Sequence, residues 1–507
     1  NYEKGVSDVD VFAGLNAATS EALGFSLAGA NFALAIINEK TGTKRVWNTL
    51  KASASNVGAI GFDDLTLTGS NLSIEINTKS NDDTYIDYSS TSLDVYTSTS
   101  TKETFDYGTS FTKLSGSLDI TVGEFVSFNG NLGFFKSNDT LTLDDGSQID
   151  AEVLTLGASS VDVFAGLTGD DEVGLNLSGV DLGLVLASDV ADSSRNWLSV
   201  QALAKGASFT GLDAVSLSSE EIEVVINTKS SDNTVIDYNN DNLEVLTGTS
   251  TSMNMDIDGS LGESFKASGN VKLSIYDFIN LDGDIAISKD TQTLKVDESG
   301  SLNDIQADVL SFGVNQLDIF AGLNGDNASK TGLDIQKASL AFLLAKEKLD
   351  ENDTNTARVW TALNSKADEA SFVGLDDTTI SASDIELKLN QTASDSSLLD
   401  FTTNKTIKTG SGTSIDLDML ASSGELLEVE SDINLNLYNF FSFDGRVAIQ
   451  KKIEEITVSD ETSKVSTDML LLASKDVNAF VGLNGNTSEK LGLELGDVDF
   501  ALGIFAD

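Results

Sequence analysis

The stretch LDITVGEFVSFNGNLGF, Leu118 to Phe134, recurs in pattern as VKLSIYDFINLDGDIAI (Val271 to Ile287) and INLNLYNFFSFDGRVAI (Ile433 to Ile449). In the first copy Leu118, Ile120, Val122, Val126, Phe128, Gly130, Leu132 and Phe134 share one parity. The second places Val271, Leu273, Ile275, Ile279, Leu281, Gly283, Ile285 and Ile287 at the same positions, and the third Ile433, Leu435, Leu437, Phe441, Phe443, Gly445, Val447 and Ile449. Alternation with a period of two means β-strand with one face turned to a core, because a helix would scatter these side chains around its circumference. At Glu124, Asp277 and Asn439 a polar residue takes the apolar parity, with Phe125, Phe278 and Phe440 beside it. A bend or bulge is expected there. Asn129-Gly130, Asp282-Gly283 and Asp444-Gly445 have the composition of two-residue hairpin turns. Such turns would push Leu132, Ile285 and Val447 off the apolar face, so a long strand kinked at glycine is expected instead.

Working outward, the whole chain repeats. VDVFAGL at Val9–Leu15 returns unchanged at Val161–Leu167, then as LDIFAGL at Leu317–Leu323 and VNAFVGL at Val477–Leu483. A second block follows each copy, from LGFSLAGANFALAI at Leu23 to LGLELGDVDFALGIF at Leu491. The expected organisation is repeat 1 over 1–160, repeat 2 over 161–316, repeat 3 over 317–476, and the start of a fourth over 477–507, in a protein expected to continue beyond it. No Pro- or Ser-rich linker separates the copies, which favours a rod over loosely strung beads. The three tryptophans, Trp47, Trp197 and Trp360, each follow an arginine by two residues (Arg45, Arg195, Arg358). One Trp per copy in one column reads as a core anchor with the guanidinium on its ring. Strands are also expected at Leu72-Ile74-Ile76, Ile222-Val224-Ile226 and Ile385-Leu387-Leu389, each ending in asparagine (Asn77, Asn227, Asn390). About ten short strands per copy follow from this spacing of turns.

The fold class is therefore all-β: tandem repeats of antiparallel sheet, sandwich-like or curled, forming a continuous elongated rod. Phe12, Phe164, Phe320 and Phe480 lie on the opposite parity to the residues around them. This suggests apolar contacts on both faces, as in a packed sandwich or closed layer, rather than an amphipathic gutter carrying lipid.

Composition narrows the function. With 31 basic against 80 acidic residues the net charge is −49, and such a surface repels nucleic acid and anionic headgroups. The absence of Cys, His and Pro excludes disulfides, thiolate chemistry, histidine triads and zinc sites of the usual kind. Proline is also the residue a ladder of hydrogen-bonded strands has least room for. No apolar run reaches the ~20 residues of a membrane-spanning helix. A catalytic site is normally single, whereas these blocks recur, so no enzyme is expected. The partners expected are copies of itself or neighbouring repeats.

Acidic turns supply the candidate metal ligands: Asp170, Asp171 and Glu172, then Asp326, then Asp144 and Asp145. Calcium takes six to eight oxygens of this kind, but none of these turns has the spacing of an EF-hand or a calcium β-roll. The ordinary reading is a set of solvated turns, with Ca2+ as the candidate ion.

The phrases FAGLN, FALA, RVW, VGLD and FSFDG, spread over the whole chain, resemble repeats of giant acidic surface proteins of aquatic bacteria, the adhesin-like tandem-repeat proteins. That resemblance implies a secreted or cell-surface location and calcium-aided folding. The expected function is a structural or adhesive extracellular segment that builds a fibre, stalk or surface layer, with the lipid-carrying gutter as the alternative.

Overall fold

The computed structural model describes residues 2–506 except 17–18, 43, 63–64, 123–125, 168–172, 212–214, 240–242, 276–277, 326, 350–354, 404, 411, 460–463 and 486. The described residues form strands and two single 3-10 turns, Gly259–Leu261 and Ala421–Ser423, with no α-helix among them. The chain divides into two compact units, Asn1–Gly211 with Glu223–Ser264, and Leu212–Ile222 with Phe265–Asp507.

The strands through the first unit, with β12 divided between the two units, are β1 (Tyr2–Leu15), β2 (Leu23–Asn38), β3 (Val46–Ile60), β4 (Leu65–Asn77), β5 (Leu93–Tyr96), β6 (Lys102–Phe105), β7 (Phe111–Val122), β8 (Val126–Thr142), β9 (Gln148–Leu167), β10 (Val173–Asp189), β11 (Asn196–Thr210), β12 (Val215–Asn227), β13 (Glu244–Leu246) and β14 (Ser252–Asn254). An antiparallel meander runs β1, β2, β3, β4, β7, β8, β9, β10, β11. The segments between β4 and β7 and after β12 leave the ladder and form the small hairpins β5–β6 and β13–β14.

The second unit continues the pattern with β15 (Ser264–Ile275), β16 (Ile279–Glu298), β17 (Ser301–Leu323), β18 (Thr331–Glu347), β19 (Val359–Val373), β20 (Thr378–Gln391), β21 (Leu398–Leu399), β22 (Lys405–Lys408), β23 (Ser414–Leu417), β24 (Leu426–Leu437), β25 (Phe441–Thr457), β26 (Lys464–Leu483) and β27 (Leu491–Ala506). Its meander is β15, β16, β17, β18, β19, β20, β24, β25, β26, β27. The excursion between β20 and β24 carries the β22–β23 hairpin. The strands of both ladders are long, from 12 residues in β7 to 23 in β17, rather than short.

Each excursion folds back onto one face of its sheet and makes the core. In the first unit Val153, Val185, Ala187 and Trp197 on the sheet meet Ile236, Tyr238, Val245 and Met255 from above. The preceding copy does the same with Ala33 and Ala35 under Tyr88, Val95 and Phe105. In the second unit Val296, Val309, Leu343 and Trp360 lie under Leu399, Phe401, Ile407 and Leu417. The fit is close enough to require glycine. A β-carbon at Gly157 would collide with the Leu246 carbonyl oxygen, and one at Gly313 with that of Lys408.

Two expectations are corrected. The alternating stretch is two strands, not one bent strand. In the third copy Leu437 pairs with Phe441 across a tight turn, with Tyr438 at φ 53 and Asn439 at φ 55. The polar residue on the apolar parity is therefore a turn residue. In the first two copies Glu124 and Asp277 lie outside the described residues, and the flanking pairs Val122–Val126 and Ile275–Ile279 place the reversal at the same point. The glycine pairs are not turns, as expected: Val271 pairs with Gly283 in mid-strand. The second correction concerns burial. In β16 the packed residues are Ala286, Leu294 and Val296, on the parity opposite to Ile279, Leu281, Ile285 and Ile287. Leu273, Ile275 and Leu281 are only half-buried. The apolar stripe that identifies the strands faces away from the core.

Candidate functional site

The Arg–Trp columns are structural locks. Each guanidinium lies over its indole, at 5.0 Å for Arg45 on Trp47, 5.2 Å for Arg195 on Trp197 and 5.0 Å for Arg358 on Trp360. The indole nitrogens donate to backbone carbonyls of the covering segments, Thr84 and Thr234 at 2.9 Å and Ser397 at 3.2 Å. The guanidiniums are held by Glu39 at 2.6 Å, by Asp189 and Asp232 at 2.7 Å each, and by Glu347 at 2.6 Å. The bonds from Arg358 hold the Glu347 carboxyl below its ordinary value. The asparagines that end the strands do similar work, since Asn77, Asn227 and Asn390 each donate at 2.9 Å to a carbonyl of the excursion (Ile86, Ile236, Leu399).

Of the metal candidates, Asp170, Asp171, Glu172 and Asp326 lie outside the described residues. Asp144 and Asp145 are adjacent in a turn, where Asp144 accepts the Val235 amide at 3.1 Å and Asp145 the Ser147 amide at 2.8 Å. Among the described residues no cluster of three carboxylates is gathered to hold an ion. The aspartates of the VDVFAGL blocks serve the backbone too. Asp162 accepts the Gly179 amide at 2.8 Å and Asp318 the Lys337 amide at 2.8 Å, while Ser160 donates its amide to Asp181 at 2.8 Å. Ser160, Gly179, Gln316 and Lys337 all have φ between 50° and 56°. These caps pin left-handed bulge residues that an unsupported strand would disfavour.

The feature left without a partner is the other face of the sheet. Residues directly opposite one another in a ladder point to the same side, so the registers trace rows across it. In the second unit one row reads Ala267, Ile287, Phe312, Phe342, Leu363, Leu389, Leu427, Lys451, Leu470, Ile504. The next reads Gly269, Ile285, Val314, Leu340, Ser365, Leu387, Val429, Ile449, Leu472, Leu502. In the first unit Val6, Phe32, Ala52, Ile74, Leu114, Phe134, Leu156, Leu184 and Val200 form such a row. Ten strands at ~4.8 Å spacing make a row about 40 Å across. Leu156 and Leu310, each flanked by strands on both sides, remain 37% and 36% exposed. A face of this extent exceeds the few hundred Å² of contiguous apolar surface that monomers ordinarily leave in water.

That face is creased. Register shifts recur at the equivalent strand pair of each copy, between Asn129 and Asn131, Asp282 and Asp284, and Asp444 and Arg446. There Val161, Leu317 and Val477 lie over Gly130, Gly283 and Gly445, where a β-carbon would collide with them. Along this line Ala158 and Val161 in the first unit, and Val314, Ser474 and Val477 in the second, are 3% to 7% exposed. In the first unit the β13–β14 excursion reaches this line, where Ser159 donates to the Thr247 carbonyl at 3.3 Å. Bulges bend a strand sharply, so the apolar face of each unit carries a crease along this line.

Charge around the crease is selective. In the rows described, and in the bordering rows Lys4, Leu34, Leu50, Ile76, Thr112, Lys136, Leu154, Leu186, Leu198 and Phe265, Lys289, Leu310, Leu344, Thr361, Gln391, with Ile453 and Asp468 at the β25–β26 end, the charged residues are Lys4, Lys136, Lys289, Lys451 and a single carboxylate, Asp468. Lys136, Lys289 and Lys451 occupy one column of the repeat, the next position of the alternating series after Phe134, Ile287 and Ile449. Reading that series two residues further reveals them; sequence reasoning stopped at the last apolar position.

No helix among the described residues is long and apolar enough to cross a membrane. No family model and no curated protein matches the chain. Among solved structures it is similar to the alcaligin outer membrane receptor FauA from Bordetella pertussis, at 11% identity over 99% of this chain and 75% of that one with a TM-score of 0.20. It is also similar to the siderophore receptor PirA from Acinetobacter baumannii, at 9% identity over 99% and 80% with a TM-score of 0.19. Overlaps this loose assign the chain to no fold family.

Proposed function

We propose that this chain is a non-catalytic structural segment, a run of repeats that builds a fibre, stalk or surface layer at the cell exterior. The observation that carries this reading is where the copies join. The boundaries 160/161, 316/317 and 476/477 fall inside β9, β17 and β26. Each copy therefore begins in the middle of a strand that the previous copy started, and no linker intervenes at these three boundaries. Electron micrographs of the purified chain test it: stiff particles without joints are expected, and compact bodies swinging on flexible links would refute it.

A second reading is favoured by the creased apolar face. An amphipathic sheet whose uncovered side forms a trough is suited to carrying lipid or another apolar ligand along the array. Lipid extraction from material purified without detergent tests this reading, with bound acyl chains the expected result and their absence the opposing one.

A further inference from the structure

We infer that the trough takes acyl lipids with an anionic head group, held tail-first in the crease with the head at the column Lys136, Lys289 and Lys451. This rests on the second reading and names its ligand. The lysines stand four residues along their strands from Leu132, Ile285 and Val447, which lie at the crease. At ~3.3 Å per residue that is about 13 Å, close to one leaflet's share, about 15 Å, of a ~30 Å bilayer core. An acyl chain laid parallel to the strands would thus reach from the lysines to the buried line of Ala158, Val314 and Ser474. Transfer of its methylenes from water supplies affinity at ~0.8 kcal/mol each.

Charge selects the head. A chain with 31 basic against 80 acidic residues has placed four lysines and one carboxylate on these rows, where an alkylammonium surfactant would find repulsion and a carboxylate or phosphate would find a partner. Lys136 is shared with Glu152 at 2.8 Å, and Asp308 and Asp468 lie one step further from the crease on the neighbouring strands. The lysines are consequently the charges nearest the apolar band. A lysine's methylene stem can lie along apolar surface while its ammonium stays in water. A second copy of this chain is the poorer occupant, because each copy adds a net charge of −49.

The test uses the full chain, which contains no cysteine or histidine to complicate labelling, and cis-parinaric acid as the fluorescent probe. Alkyltrimethylammonium of equal length serves as competitor. Saturable binding is expected, with palmitate displacing the probe and the ammonium compound at least tenfold weaker. Lys136→Gln, Lys289→Gln and Lys451→Gln together, which remove one lysine from each copy, should lower affinity for the anionic probe about fivefold at each site and leave the ammonium compound's affinity unchanged or raised. Leu156→Asp with Leu340→Asp should abolish binding of both while the melting temperature, checked in parallel, shows a folded chain. Equal affinity for both head groups would overturn the lysine assignment and leave the lipid trough standing. No binding of either probe, or a chain that sediments as a dimer refractory to palmitate, would overturn the trough itself.

Discussion

The hydroxyl of Tyr88 lies 2.9 Å from Oγ1 of Thr49, and both groups are buried. Thr49 in turn donates to Asn77 Oδ1 at 3.1 Å. The second copy repeats the relay with Tyr238, Ser199 and Asn227 at 2.9 Å and 2.8 Å. In the third copy Phe401 and Ala362 occupy these places, and Asn390 Oδ1 is buried without a partner. Tyrosine and hydroxyl are kept together or lost together, because either alone strands a polar group in the core.

The relay gives a direct test. Thr49→Ala should destabilise the first unit by about 1–3 kcal/mol, while Thr49→Ala with Tyr88→Phe recovers part of that loss. A double-mutant cycle by urea unfolding measures it, and strictly additive effects would show that the pair is uncoupled. By the same reasoning Ala362→Ser, which supplies a donor to Asn390, should stabilise the third copy.

The excursion's contact with the sheet is equally open to mutation. Gly157→Ala places a methyl where the Leu246 carbonyl sits, and the β13–β14 hairpin must lift. A loss of roughly 1–3 kcal/mol is expected, with protease cleavage appearing between Glu244 and Asn254. Unchanged melting would mean that the hairpin does not rest on that strand.

The Arg358 lock has a pH signature. Hydrogen bonding from Arg358 keeps the Glu347 carboxyl below its ordinary value, so Glu347 releases its proton more readily in the folded chain than in the unfolded one. Its contribution is present above the unfolded value, ~4.3, and is lost as pH falls through the folded one. The fall in melting temperature caused by Arg358→Met should be largest at pH 7 and shrink below pH 4. A penalty independent of pH would reduce the arginine to a packing group on Trp360.

Much of this architecture was legible in the residues. Alternation from Leu118 to Phe134 specified strands, and the displacement of Leu132, Ile285 and Val447 argued against a turn at Asn129-Gly130 and its counterparts. The column of Arg45, Arg195 and Arg358 foretold the stacked indoles. What the pattern did not disclose is which face the core occupies. Ala286, Leu294 and Val296 form a sparser apolar parity interrupted by Ser288, Asp290 and Gln292. They are buried because a segment far along the chain folds over them, a tertiary event with no local periodicity. Asn439 was misread as a bend because a four-residue step from Leu437 to Phe441 preserves parity through a reversal.

Continuity across the copies is testable in this cysteine-free chain. Leu156 pairs with Leu184 on one side of the 160/161 boundary, and Val163 with Leu177 on the other. Cysteine pairs at both should oxidise to disulfides, since facing residues in an antiparallel ladder stand 4.5–5.5 Å apart, roughly the span a disulfide bridges. Closure of one pair but not the other would place a break at the boundary.

The central claim, that the stripe marking the strands faces outward and uncovered, is tested most directly by thiol accessibility in β9. Val153 is 1% exposed beneath the excursion and Leu156, three residues on, is 37% exposed on the opposite face. In single variants of the full chain, Leu156→Cys should react with a maleimide at close to the rate of the unfolded chain, and Val153→Cys should be protected by orders of magnitude. Protection of both would mean that the apolar face is covered, contradicting the account.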